Sequence, residues 1–151
     1  STCGVVPKIY ELADLGLQIT LSVSLHAPTD EVRSTTMPIN KAYNISELLK
    51  ACRYYINKTN RRISFEYSVV KNVNDSEECA SCLAKLLRGM LCHINLIPVN
   101  QIEEGGFVRP DNDRLRKFEN ALSKLGMNVT VRRTLGSDIS ASCGQLRAKN
   151  T

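Results

Sequence analysis

Cys143 stands among small residues, in Ser140-Ala141-Ser142-Cys143-Gly144, a short distance after the arginines Arg132 and Arg133. A thiol so placed is open to a bulky partner, and nearby cations could lower its pKa or hold a phosphate. Asp138 and Ser140 are turn formers, and Gly144 has backbone freedom that other residues lack. The residues alone leave two readings: a reactive thiol, or an ordered loop with a buried structural cysteine.

Other candidates are fewer. His26 ends an alternating segment, where it could act as a base, touch a ligand or form part of a hydrogen-bonded wall. Glu66 lies mid-strand among serines and would be costly to bury unpaired, so it calls for Arg132 or a ligand ammonium. Cys79-Ala80-Ser81-Cys82 has the spacing of half a zinc or redox site. Both thiols share a helix face with Leu83, Leu86 and Met90 and no second ligand pair follows, so core packing is expected; the same holds for Cys52 and Cys92. Lys58, Arg61 and Arg62 fit a solvated loop.

The elements that must position these residues alternate. Val6, Ile9, Leu12 and Ala13 have helical spacing, and Gly16 ends that helix. Ile19, Leu21, Val23 and Leu25 then alternate with Thr20, Ser22, Ser24 and His26, a strand. A loop is expected through Pro28 and Pro38. Asn44 and Glu47 make a capping box for a helix with Ile45, Leu48, Leu49, Cys52 and Ile56 on one face. A second strand covers Ile63 to Val69, and Asp75 with Glu78 predicts the cap of a helix facing inward through Cys79, Cys82, Leu83, Leu86, Leu87 and Met90. A third strand runs from Ile94 to Ile97. The Asp111-Asn112 turn starts a helix with Leu115, Phe118, Leu122 and Leu125, and a last strand covers Val129 to Arg132.

This alternation predicts an α/β protein with a parallel sheet and crossover helices. No Gly-rich dinucleotide or Walker motif follows a strand, which argues against Rossmann and P-loop proteins. Thr20, Ser22, Ser24, His26, Ser64, Glu66, Ser68, Asn95, Thr130 and Arg132 give the strands a polar second face, whereas parallel strands covered on both sides are apolar throughout. Such a face suits the inner wall of an open barrel holding a polar ligand. Four strands cannot close a barrel, and the chain opens on Ser-Thr-Cys-Gly without a methionine, so a piece of a longer protein is expected. Functional loops should follow the carboxyl ends of the strands, at Ser24–Pro28, Asn72–Asp75, Pro98–Asn100 and around Cys143.

Composition sets outer bounds. With 151 residues and 42 % hydrophobic content the chain can form one domain with a sizeable core. The net charge of +5 permits a polyanionic partner, but the basic residues are scattered. No apolar run approaches the roughly 20 residues of a membrane helix, and no signal peptide opens the chain. The six cysteines form no regular framework, so reduced thiols in a cytoplasmic protein are expected.

Five segments in order, Ser1-Thr2-Cys3-Gly4-Val5-Val6-Pro7, Ser24-Leu25-His26-Ala27-Pro28, Pro38-Ile39-Asn40, Asn95-Leu96-Ile97-Pro98-Val99-Asn100 and Ser142-Cys143-Gly144-Gln145-Leu146, closely resemble the radical S-adenosylmethionine (SAM) RNA adenine-C2 methyltransferases. The resemblance runs nearly the whole chain. It implies a partial (βα) barrel of the radical SAM type, with about four βα units here and residues 1–151 forming the carboxyl-terminal part of the barrel domain. It implies an enzyme that methylates C2 of an adenine in large-subunit rRNA and some tRNAs, using SAM, a 4Fe-4S cluster and an external electron donor, as a monomer. Ser1, Ser24, Leu25, His26 and Asn100 would contact SAM. Cys143 would be methylated on sulfur and then carry that carbon to the base, because C2 of adenine is not nucleophilic enough for direct transfer. The family's Cys-x-x-x-Cys-x-x-Cys cluster motif, its Gly-Glu motif and its resolving cysteine do not occur in these residues, so this stretch by itself is expected to be inactive. The C8-methylating sister group shares much of the pattern. A non-catalytic module that holds RNA or a nucleotide on the same rim is the reading from a different class.

Overall fold

The computed structural model describes residues 1–100 and 106–133. Strands β1 (Leu21–Ser24), β2 (Ile63–Val69), β3 (Cys92–Pro98) and β4 (Val129–Val131) form a parallel sheet in sequence order. Helices α1 (Val6–Asp14), α2 (Asp30–Thr36), α3 (Ile45–Thr59), α4 (Glu77–Leu87) and α5 (Asn112–Lys124) alternate with them, and a 3-10 turn covers Pro38–Lys41. This is the expected α/β arrangement of successive crossovers.

The register explains the two faces of the sheet. Val23, Phe65, Ile94 and Val129 lie level on adjacent strands, and so do Ser24, Glu66, Asn95 and Thr130. Because side chains alternate across a strand, the first row packs under the helices and the second faces the other way. β2 and β3 alternate strictly between buried and half-buried residues. The polar wall is thus a property of the fold, and a four-stranded parallel sheet with one such wall is a barrel segment rather than a closed barrel. Before β1, Thr2 extends the sheet by one bridge: its N–H donates to the Ser22 carbonyl (2.9 Å) and its carbonyl accepts from the Ser24 N–H (2.9 Å).

The apolar side is a continuous core in which Leu48, Phe65, Leu83, Leu87, Leu96 and Phe118 are buried. Each such side chain stabilises the fold by roughly 1.5–3 kcal/mol relative to exposure. Tyr67 joins the core to the rim, stacking on Phe118 with ring centroids 5.5 Å apart and donating from its hydroxyl to the Asn74 carbonyl (2.8 Å). The Asn44–Glu47 capping box is present: the Glu47 N–H donates to Asn44 Oδ1 (2.9 Å) and the Asn44 N–H to Glu47 Oε2 (3.2 Å).

Several expectations are corrected. The stretch between Pro28 and Pro38 is largely helical, since it forms α2, capped by Thr29. α2 buries only Arg33, so it carries no apolar stripe that periodicity could detect. Ser76, not Asp75, caps α4, because its Oγ accepts from the Cys79 N–H. Cys82 is exposed and Cys79 half-buried; Ala80, Leu83, Ala84 and Leu87 form the inner stripe instead. Small Ala80 and Ala84 set the buried line of α4 about one residue away from the expected one. Leu125 is exposed, as is Ile19, which precedes β1. Cys52 and Cys92 are buried as expected, and burial pushes their thiols up to about 12 and about 11 respectively. No described helix is long and apolar enough to cross a membrane.

Candidate functional site

The carboxyl ends of β1, β2 and β3 and the segment at Thr2 form one rim above the polar wall. Ser24 closes β1 as a half-buried residue of that wall, and buried Leu25 anchors the turn that follows. The Leu25 and His26 N–H groups both donate to the Glu66 carbonyl, at 3.0 and 3.3 Å. His26 has φ of 60°, a left-handed conformation uncommon outside glycine and adopted among other residues mostly by Asn, Asp and His. The chain therefore turns sharply and holds the imidazole over the end of β2.

That imidazole is fixed by its partners. Nδ1 accepts from the Ser68 N–H at 2.9 Å, so the ring proton of neutral His26 lies on Nε2. Burial, and next the positive charge of Arg33, hold the pKa down at about 4. His26 is consequently neutral near pH 7, and its Nδ1 lone pair is already engaged. It is built to donate from Nε2–H rather than to act as a base, which narrows the roles left open by the sequence.

Two side chains hold this turn: Arg33, which sequence reasoning passed over, and Asn74, which it placed only within the nominated Asn72–Asp75 loop. Asn74 is buried; its Nδ2 donates to the His26 carbonyl (2.9 Å) and the Ser68 carbonyl (2.8 Å), while its Oδ1 accepts from the Val70 N–H (2.8 Å). It thereby uses both ends of its amide to tie the end of β1 to the end of β2. Arg33, from α2, donates to the Ser24 and Leu25 carbonyls. Polar residues in loops and on short helices are common, so nothing in the spacing of Asn74 or of Arg33 distinguished these two. Only their burial does.

Along the wall, Glu66 accepts from Asn95 Nδ2 (2.8 Å) and from Ser64 Oγ (3.3 Å). Its described partners are these neutral donors and not Arg132. Of the two partners expected from the sequence, the ion pair with Arg132 is not formed and a ligand ammonium is the one left. Arg132 instead uses its backbone, its N–H donating to the Leu96 carbonyl (2.8 Å). Lower down, His93 Nε2 lies 2.9 Å from Thr130 Oγ1. Asp75 is held at the rim by the Arg114 guanidinium at 2.7 and 2.9 Å.

The sequence-nominated residues are distributed as follows. Ser1 precedes Thr2 and so falls level with Ser22 beside β1, while Ser24, Leu25 and His26 lead off the end of that strand. Asn100 follows β3, two strands away on the same rim, after a Val99 N–H that donates to the Val69 carbonyl (3.3 Å). The structure thus brings Ser1 and the Ser24–His26 turn onto neighbouring segments, with β2 between them and Asn100. A cavity of about 180 Å³ adjoins the turn, lined by His26, Met37, Ser68, Val70, Val99 and Phe107 among others. A larger groove of about 400 Å³ lies between α3 and α4, on the other side of the sheet, and includes none of the nominated residues. Cys143 lies outside the described residues. Among the described residues no three His, Cys, Asp or Glu side chains are grouped so as to hold a metal ion.

No protein-family model matches the chain. Its sequence is 63 % identical over 147 residues to a protein of Clostridium botulinum (strain Alaska E43 / Type E3) named probable dual-specificity RNA methyltransferase RlmN, covering 97 % of the chain. A protein of the same name from Clostridioides difficile (strain 630) is 59 % identical over 149 residues, 99 % of the chain. The chain spans 42 % and 43 % of the length of these two relatives. Among solved structures, a radical SAM methyltransferase from Sphaerobacter thermophilus superposes with a TM-score of 0.91 at 50 % identity, over 95 % of the chain and 42 % of its own. A domain of pyruvate-formate lyase-activating enzyme from Bacteroides vulgatus shares the fold alone, with a TM-score of 0.65 at 17 % identity, over 84 % of the chain and 74 % of its own. By sequence and by fold, the chain is homologous to the carboxyl-terminal part of the radical SAM RNA methyltransferases.

Proposed function

We propose that residues 1–151 are the carboxyl-terminal part of the barrel domain of a radical SAM RNA methyltransferase, which methylates C2 of an adenine in large-subunit rRNA and some tRNAs. What carries the reading is the 63 % identity over 147 residues to a relative named as a dual-specificity RNA methyltransferase. The polar wall on parallel strands supports it, because that is where a partial barrel offers hydrogen bonds to a polar ligand.

In this reading Ser1, the Ser24-Leu25-His26 turn and Asn100 hold SAM along the rim. The turn suits that role, since Leu25 is committed to the core, Ser24 stays on the wall, and neutral His26 presents Nε2–H to an acceptor without adding positive charge beside a sulfonium. Glu66, with only neutral donors among its described partners, offers the wall a carboxylate without a bonded cation, which suits a cationic ligand. A 4Fe-4S cluster, when bound in the full-length enzyme, would supply the electron that cleaves SAM; the three-cysteine motif that would hold it does not occur in this sequence. The enzyme works in the cytoplasm as a monomer, taking that electron from an external donor.

Cys143 is assigned as the methyl carrier. Its thiolate attacks the sulfonium methyl of one SAM, forming the S–CH3 bond as S-adenosylhomocysteine leaves, and the S-methyl carbon later becomes the new substituent of the base. A serine cannot replace it, since a hydroxyl is a poor nucleophile near neutral pH and does not stabilise an adjacent carbon radical. The test is mass spectrometry of anaerobically prepared full-length enzyme and its RNA product. Cys143 should appear as S-methylcysteine, 2-methyladenosine should form, and Cys143→Ala and Cys143→Ser should abolish it. Formation of 8-methyladenosine would move the assignment to the sister group. Methylation by the alanine variant would remove Cys143 from the mechanism.

A further inference from the structure

Arg33 is fully buried, and four neutral acceptors surround its guanidinium. Nε donates to the Leu25 carbonyl (3.1 Å), Nη1 to Asn40 Oδ1 (3.0 Å), and Nη2 to the carbonyls of Cys3 (2.8 Å) and Ser24 (3.1 Å). Among the described residues no carboxylate forms an ion pair with it. Asp30 lies near enough to favour the charge, but burial works against it with no bonded carboxylate to offset the cost, and an apolar side chain of similar length would fill the same space. What only the guanidinium offers is a rigid fan of donors, and here that fan is aimed at backbone from separate segments.

The surroundings are arranged for this contact. Ser24 and Leu25 are consecutive, and their carbonyls converge on one guanidinium as the chain leaves β1 and enters the left-handed turn at His26. The Cys3 carbonyl comes from the segment beside β1. Gly4, next along, has φ of 111°, and a Cβ there would stand 3.1 Å from Arg33 Nη2, so a glycine lets that segment close in. The Asn40 amide cannot turn away, because Nδ2 donates to Ser34 Oγ (2.9 Å) and to the Asp30 carbonyl (3.3 Å). Its oxygen is thereby presented to Arg33.

We propose that Arg33 is a positioning residue that locks the Ser1–Cys3 segment to the Ser24-Leu25-His26 turn, so that both meet SAM as one preformed surface. This rests on the assignment of Ser1, Ser24 and His26 as SAM contacts. Neither side chain of the Arg33–Asn40 pair reaches the ligand; they act through the backbone they hold.

The test uses the full-length, anaerobically reconstituted protein and equilibrium dialysis against labelled SAM, well below each variant's melting temperature. Arg33→Lys keeps the charge but loses the fan, Asn40→Ala removes one acceptor, and Leu122→Ala in α5 is a control for lost stability alone. Arg33→Lys should bind SAM about tenfold more weakly, as expected when preformed contacts are displaced by a fraction of an ångström. Asn40→Ala should lose less in the same direction, and Leu122→Ala should keep wild-type affinity despite melting lower. A second readout separates positioning from stability: the ring nitrogen resonances of His26 should move in Arg33→Lys and stay in place in Leu122→Ala. Wild-type affinity in folded Arg33→Lys, or an equal loss in Leu122→Ala, overturns the proposal. Should Arg33→Lys fail to fold, Asn40→Ala decides by the same outcomes. Asn100→Ala tests the underlying assignment: if it and Arg33→Lys both bind normally, the SAM site itself is misplaced, whereas if only Asn100→Ala weakens binding, the positioning role alone falls.

Discussion

Nδ1 of His26 accepts a hydrogen bond from the backbone N–H of Ser68 at 2.9 Å, linking the turn after β1 to the last residues of β2. A protonated imidazole could not accept that bond, so the contact and the burial act together to keep the ring neutral.

The stability of the fold should therefore depend on pH through this residue. The unfolded imidazole takes a proton near its ordinary pKa of 6.5, while the folded one resists until about 4. Between those values the unfolded chain binds more protons, so stability is present above about 6.5 and is lost as pH falls toward 4, by up to about 3 kcal/mol. Denaturant melts at stepped pH check this. His26→Asn, which tolerates the left-handed backbone and retains an acceptor, should flatten the part of the profile between pH 6.5 and 5. An unchanged slope in that variant would assign the titration elsewhere.

Asn74 should matter more to stability than its loop position suggests. Its buried amide serves one N–H donor and two carbonyl acceptors on different segments. Asn74→Ala leaves those groups short of partners and should destabilise the protein by about 2–4 kcal/mol. The Val70 amide should then exchange its hydrogen faster. A loss below about 0.5 kcal/mol would mean that water replaces the side chain there without strain.

The cysteines should separate by reactivity. Cys3 and Cys82 are exposed, whereas Cys52 and Cys92 are buried with raised pKa values. A maleimide reagent on native protein should modify the first pair and reach the second only on unfolding. Cys52→Ala should cost about 1–2 kcal/mol through lost packing, and Cys82→Ala should stay within about 0.5 kcal/mol of wild type. Peptide mass mapping and denaturant melts measure both. Rapid labelling of Cys52 in the folded state would contradict its place in the core.

Strand alternation and helix spacing were enough to establish four parallel strands and a wall of Ser, Glu, Asn and Thr, because period-two patterning depends on nearest neighbours in the chain. The capping box at Asn44 and Glu47 was legible for the same reason: its hydrogen bonds close within three residues. The nomination of Ser24 and His26 came from strand ends and from resemblance, and it located the turn without indicating how it is held. Only the tertiary structure decided that. Arg33 and Asn74 look like ordinary polar residues in sequence, and they become organising residues because packing buries them against carbonyls from distant segments. Likewise, Cys82 shares an apparent apolar stripe with Leu83 and Leu86, yet the line of α4 that meets the core runs through Ala80, Leu83, Ala84 and Leu87. A helix repeats its faces every 3.6 residues, so the pattern names several neighbouring stripes, and contact with the sheet selects one.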